Sequence, residues 1–379
     1  MKKILFYTAN GVGLGHLRRT QLIAQELKKE KIEIILATSS LHPQILGNFF
    51  DNFVKIGPLS DDLLKNPQKT LKTKLDNGKI FLKALKKFKP NLIIADFHLN
   101  SSFTFYPLSY GLDNFPVETF FIWRFGAPNE VIRDIKREKE KLNYFKKIII
   151  PHSFSELVDL YPISFLKEII LNSQFEICDP IFKKIDKNKI NKCRLKYKIS
   201  NDDFLIVITS GGAGKLIKGN CEKSDKIINN FLTIFPKLNR EIQNLKIVII
   251  EGPYSENFNR KFINKIKFVR FEENLLELIS LSDLVISTAG YNICNELIVN
   301  KKPSILFPLK RGGNEQIVRA NYFKEKGVAK VIEDNSPQLF LNSIFYTKNH
   351  LDEMKKNFKN FSDWKSGNKK VAKIICSIL

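Results

Sequence analysis

Acidic residues are the scarce class in this chain: 39 Asp and Glu stand against 62 Lys and Arg, giving a formal charge of +23 over 379 residues. Such an excess fits nucleic acid, an anionic membrane surface, or a Lys-rich composition with no partner behind it. Helix-turn-helix, RNA-recognition and zinc-finger signatures are all missing, so a nucleic-acid role would rest on charge alone and is set aside. Cysteine is also sparse. The five residues, at 178, 193, 221, 294 and 376, form an odd, scattered set with neither C-x-x-C nor a Cys/His metal spacing. That excludes a disulfide framework and a structural zinc, and fits reduced cytosolic thiols. There is no D-x-D, a spacing that holds a nucleotide diphosphate through a divalent cation, so no metal or cofactor is expected. No apolar run approaches membrane-spanning length. The Met-Lys-Lys start resembles a signal n-region, but its apolar run ends at Tyr7 and becomes a Gly loop. The expectation is a cytoplasmic protein, at most peripheral on the inner face of the membrane.

What is present is a succession of short apolar strands, each followed by a turn and a helical stretch. Lys3–Thr8, Ile32–Thr38, Asn91–Asp96, Val117–Arg124, Ile148–Pro151, Phe204–Thr209, Lys246–Ile250, Asp283–Ser287 and Pro303–Pro308 read as strands. Strands alternating with helices predict parallel sheets and an α/β fold. The length is too great for one ordinary core and suits two domains. Their boundary is placed near Asp179-Pro180, with the polar, basic stretch from Lys183 to Ser200 as linker. The domains expected are residues 1–178, 179–350, and a last helix over 351–379.

Three Gly-rich turns carry the candidate chemistry. At the N-terminus, glycines 11, 13 and 15 precede His16 and an amphipathic helix over Leu17–Lys29. The spacing is not GxGxxG, and the following strand ends in Thr-Ser-Ser with no acid for an adenosine ribose, which argues against a dehydrogenase. His16 at a helix start sits where positive potential keeps the imidazole neutral, as a general base must be, although it can equally cap the turn. Arg18 and Arg19 are weaker candidates, since a pair of arginines at a helix start is often only solvated. Asp96 and Arg124 stand at strand ends, the edge where open α/β sheets bind ligands. Asp96 is a candidate second base or orienting partner for His16, and equally a loop cap. In the second turn Gly211, Gly212 and Gly214 follow a strand, and their N–H groups can cradle a diphosphate. This is not a P-loop, because Lys215 is not followed by Ser or Thr. The third turn, Ala289-Gly290, opens a helix near Tyr291 or Asn292 whose N–H groups attract phosphate. Glu296 lies one turn further on, fit to accept from a pair of ribose hydroxyls, and a later loop delivers Glu315 and Gln316, an acid and an amide suited to a sugar's vicinal hydroxyls.

Gly290, Glu296, Glu315 and Gln316, together with the GxGHxxR loop, resemble glycosyltransferase family 28, a group with peptidoglycan N-acetylglucosaminyltransferases and monogalactosyldiacylglycerol synthases among its members. The Ala320-Asn321 pair echoes the signature of the related family 1 enzymes. The resemblance covers most of the chain but is specific only in the front loop and the C-terminal block. It implies a GT-B fold, two Rossmann-like parallel-sheet domains facing a cleft, with the last helix returning to the first domain. It implies an inverting transfer of a hexose or N-acetylhexosamine from a nucleotide-sugar, UDP-linked by preference, to a hydroxyl acceptor such as a lipid-borne or cell-envelope glycan precursor. His16 would be catalytic with Asp96, the Gly13 and Gly15 loop and Arg124 would serve acceptor or phosphate, and Gly211, Gly212, Gly214, Gly290, Tyr291, Asn292, Glu296, Glu315 and Gln316 would hold the donor. The loop Lys310–Asn314 is more basic and Gly-rich than that family pattern. The GxGHxxR loop equally resembles the UDP-sugar hydrolase of pseudaminic acid synthesis, which would use His16 to activate water. Last, Lys79–Lys89 reads as a basic amphipathic helix, fit either to dock on anionic lipid or to pack its apolar face on a sheet.

Overall fold

The computed structural model describes residues 1–9, 14–40, 49–211, 220–252, 265–310, 313–334 and 336–379. Two compact units emerge, Met1–Phe182 together with Lys365–Leu379, and Lys183–Trp364. The first holds seven strands: β1 (Lys2–Thr8), β2 (Ile32–Thr38), β3 (Asn52–Lys55), β4 (Leu92–Ala95), β5 (Thr119–Ile122), β6 (Lys147–Pro151) and β7 (Phe175–Cys178). They lie in the order β3-β2-β1-β4-β5-β6-β7, every pair parallel. The second unit has β8 (Phe204–Thr209), β9 (Leu245–Ile250), β10 (Ile266–Val269), β11 (Leu284–Ser287), β12 (Ser304–Leu306) and β13 (Ala329–Val331) in the parallel order β10-β9-β8-β11-β12-β13.

Why these runs form central strands is visible in β1. Ile4, Leu5, Phe6 and Tyr7 are all fully buried, and alternate residues feed opposite cores. Leu5 and Tyr7 join Phe81, Leu85 and Phe88 on one side, whereas Ile4 and Phe6 meet Leu17, Ile23, Leu27, Val371 and Ile375 on the other. In the second unit Ile206 and Ile208 pack on Ile228, Phe231 and Phe340, while Leu205 and Val207 face Cys193, Tyr197 and Leu278.

Two expectations change. The single helix expected over 351–379 is two helices, Leu351–Asn357 and Asn368–Cys376, separated by a 3-10 turn, and only the part from Lys365 joins the first unit. There Gly367 N–H donates to Pro180 O and the Asn368 amide clasps the backbone of Phe182, so the chain's two passages between units are pinned together. The stretch read as a linker contains a helix, Lys187–Lys196, inside the second unit. Fully buried Glu277 holds it, accepting from Lys183 Nζ at 2.8 Å and from Asp186 N–H at 3.2 Å. Of the two readings of Lys79–Lys89, packing is the one observed: the stretch forms the end of the helix Pro67–Phe88, whose apolar face, Phe81, Ala84, Leu85 and Phe88, is buried in the core. Its outer side carries Leu71, Leu75 and Ile80 among lysines. Among the described residues, no helix is long and apolar enough to cross a membrane.

Candidate active site

The strand orders create a switch point in each unit, between β1 and β4 and between β8 and β11, where successive connections run away in opposite directions. Open parallel sheets bind ligands beyond the carboxyl ends of the strands at such points. In the first unit the helix Gly15–Leu27 follows β1, and its second residue, His16, is fastened through Thr20, whose hydroxyl donates to His16 O at 3.0 Å and meets the Thr8 hydroxyl at 2.9 Å. Asp96 follows β4, and its N–H donates to Tyr7 O at 2.9 Å, which fixes it beside the end of β1.

The two side chains meet. His16 Nδ1 lies 2.6 Å from Asp96 Oδ1. An ionised carboxylate only accepts, so this shorter contact, against Arg19 Nη2 at 3.0 Å from the same nitrogen, assigns the proton to Nδ1 and leaves Nε2 with the lone pair of a base. Asp96 is fully buried, and its charge is met by Arg19, which donates from Nε to Oδ2 at 3.0 Å and from Nη2 to Oδ1 at 2.6 Å. This corrects the reading of Arg19 as solvated: it is 1% exposed. Three residues past His16, it lies on the same helix face and closes a His16–Asp96–Arg19 array. Its neighbour Arg18 is half-buried and donates to Gln21.

Burial would raise the Asp96 carboxyl, but the charges and hydrogen bonds of Arg19 and His16 outweigh it and hold the group down at about 2. His16 is pushed below the ordinary imidazole range, chiefly by burial, with Arg19 and Arg124 acting in the same direction against the pull of Asp96. The neutral base expected from the sequence thus has a different main cause, desolvation instead of the helix start. A small pocket beside the array is lined by His16, Asp96, His98, Asn100, Trp123 and Arg124. The expected residues His16, Asp96 and Arg124 therefore converge there, Gly15 begins the His16 helix, and Gly13 lies outside the described residues.

In the second unit the helix Tyr291–Asn300 starts beyond β11, with Gly290 as its N-cap. Gly290 has φ −68° and ψ 151°, a conformation open to any residue, and a Cβ there would meet only ordinary contacts. Among the described residues, nothing in this unit excludes a side chain at 290. Gly211 differs: at φ +77° it needs glycine, and an added Cβ would come within 3.3 Å of Thr288 Oγ1. Gly212 and Gly214 lie outside the described residues. Asn292 and Glu296, both half-buried, share one helix face at i, i+4 spacing.

Glu315 and Gln316 are not in a loop but form the first turn of the helix Glu315–Glu325, where the acid suits the positive helix end. Gln316 is buried, and its Oε1 accepts from Leu309 N–H at 3.0 Å, so it also anchors the segment after β12. The Tyr291 ring is buried under the Arg319 guanidinium, 5.8 Å from its centroid, and serves packing inside the unit. Arg319, missed in the sequence, donates from Nη1 to Ala289 O at 2.8 Å and ties the Gly290 turn to the helix carrying Glu315 and Gln316.

Residues 216–373 match the model of the glycosyltransferase family 28 C-terminal domain. That stretch, less than half of the chain, is similar to the C-terminal domain of that family. Gly290, Glu296, Glu315 and Gln316 lie within it, whereas His16 and Asp96 precede it. Among relatives, the UDP-N-acetylglucosamine–N-acetylmuramyl-(pentapeptide) pyrophosphoryl-undecaprenol N-acetylglucosamine transferase of Clostridium botulinum (strain 657 / Type Ba4) is 30% identical over 184 residues, 46% of this chain and 48% of that protein. The match thus spans about half the length of that relative. Transferase 3 of the same description from Bacillus cereus (strain ATCC 14579) is 23% identical over 378 residues, 97% of this chain and 96% of that one. The crystal structure of Acinetobacter baumannii MurG has a TM-score of 0.61 at 13% identity, covering 100% of both chains. That likeness shows the fold, two parallel-sheet units of the GT-B kind. No group of three or more His, Cys, Asp or Glu able to hold a metal ion occurs among the described residues.

Proposed function

We propose that the protein is an inverting, metal-independent glycosyltransferase that moves a sugar, N-acetylglucosamine first among candidates, from a UDP-sugar to a hydroxyl acceptor borne on lipid. The observation that carries this reading is the neutral His16, which lines a pocket at the strand ends and has Nδ1 bound to Asp96, in a chain whose residues 216–373 match the family 28 C-terminal domain. The acceptor hydroxyl loses its proton to Nε2 as its oxygen attacks the anomeric carbon. The bond to the diphosphate breaks and the electron pair leaves with it. A single displacement inverts the anomeric centre. The diphosphate charge is met by N–H groups at the start of the Tyr291–Asn300 helix in place of a cation, so a chelator leaves the rate unchanged.

Donor identity follows the names of the Clostridium and Bacillus relatives, both N-acetylglucosamine transferases. A lipid-borne acceptor agrees with those names and with the exposed Leu64, Leu71, Leu75 and Ile80 interspersed with lysines, a surface fit to meet an anionic membrane from its cytoplasmic side.

Glu296 accepts from the uridine ribose hydroxyls, an assignment supported by its place one turn into that helix. Glu296→Ala is expected to weaken UDP binding by about 1.5–3 kcal/mol, roughly 10- to 150-fold in Kd by titration calorimetry. Unchanged affinity would remove Glu296 from the donor site.

A further inference from the structure

His98 has no part in the reaction as described, yet it stands at its centre. It lies two residues beyond Asp96 on the loop that leaves β4, and its side chain is exposed where that of His16 is buried. The rings meet edge to face, centroids 4.9 Å apart at 83°, with Nε2 of each 3.4 Å from Nε2 of the other. The atom of His98 nearest the base is thus the one facing the lone pair that must take the acceptor's proton.

The array has a difficulty that His98 resolves. Once His16 Nε2 holds the acceptor's proton, the ring is a buried cation, with the guanidinium of Arg19 sharing Asp96 and Arg124 lining the same pocket. Asp96 cannot take the proton away, because Arg19 and the Nδ1–H hold it as the carboxylate.

We propose that His98 is the proton outlet of His16, an inference that rests on His16 acting as base in the proposed transfer. In the step, the acceptor O–H bond breaks and its proton goes to His16 Nε2. The oxygen pair forms the glycosidic bond while the diphosphate leaves with the other pair. His16 Nε2–H then passes its proton to the Nε2 lone pair of His98, whose Nδ1–H is released to water. Exchange with water on the exposed ring returns the His98 proton to Nδ1. His16 regains its lone pair and keeps Nδ1–H on Asp96 throughout.

The test is His98→Ala in the full chain, assayed in dilute, non-imidazole buffer and again with added imidazole. Expected is a drop in kcat of roughly tenfold, smaller than the loss of a direct base because water substitutes in part. The KM for UDP-sugar stays unchanged, and added imidazole restores kcat in a saturable manner. Wild-type kcat in dilute buffer overturns the proposal, and so does a loss that imidazole fails to restore, which would make His98 a structural or acceptor contact. A second readout needs no turnover: in histidine-selective 15N spectra, His98→Ala shifts the titration of His16. An unmoved His16 titration also overturns the relay. A coupled titration in a wild-type protein that transfers no sugar overturns the transferase reading and leaves the pairing of the two rings standing.

Discussion

His16→Ala loses turnover by about 10²–10⁴-fold, the contribution of a positioned base, and binds UDP as the wild type does. The split follows from where the groups lie. His16, Asp96 and Arg19 belong to the first unit, whereas Gly290, Glu296, Glu315 and Gln316 belong to the second. Removing the imidazole leaves the second unit intact. Stopped-flow or steady-state UDP release gives kcat, and calorimetry gives UDP affinity for the same preparation. Full turnover in the variant would end the assignment of His16 as base. The pH profile adds a sign. Because burial holds the His16 pKa below the ordinary imidazole range, the ring stays neutral and competent down to more acid pH than a free histidine would allow.

The second large effect is on stability. Among the described residues, Arg19→Met leaves the fully buried Asp96 carboxylate with His16 alone hydrogen-bonded to it. Removing one partner of such a pair costs about 3–5 kcal/mol, on the order of 6–20 °C in the unfolding midpoint of a unit this size. Differential scanning calorimetry reads it, and a midpoint within a degree or two of wild type would show that Arg19 does not carry the pair. The double variant Arg19→Met, Asp96→Asn is expected to recover part of the loss, since no uncompensated charge remains. Arg19→Met also takes away a charge that depresses His16 while Asp96 stays anionic. The His16 pKa therefore rises, and the acid limb of the rate profile moves to higher pH.

The central strands were legible because they are buried on both faces and read as unbroken apolar runs. Ile32–Thr38 and Phe204–Thr209 match the observed strands end to end. The strands that went unread, β3, β7, β10 and β13, are the four sheet edges. Each is short and carries a charged or amide residue, as in Asn-Phe-Val-Lys and Ala-Lys-Val, because an edge is covered on fewer sides and needs less apolar surface.

In the site, residues at strand ends were visible from the rule that ligands gather there, which is why His16, Asp96 and Arg124 were singled out. Whether Asp96 reaches His16 depends on β4 lying beside β1, a pairing of residues 80 positions apart that no local pattern encodes. Arg19 was misread because an arginine at a helix start is ordinarily wet. Its i+3 relation to His16 was the available signal, and the buried carboxylate it answers was not. His98, two residues after a candidate acid on a strand-end loop, was open to the same rule and was passed over. Arg319 had no signal, since its partner is a backbone carbonyl, Ala289 O, brought near only by the fold.

The most direct test of the reading as a glycosyltransferase is UDP release by the purified protein from a panel of UDP-sugars, with and without a lipid extract from the source cells. Release from UDP-N-acetylglucosamine that depends on the extract, with the sugar recovered in the lipid fraction, is the predicted result. Release without any extract, yielding free sugar, would contradict it and make the same His16 pocket that of a nucleotide-sugar hydrolase.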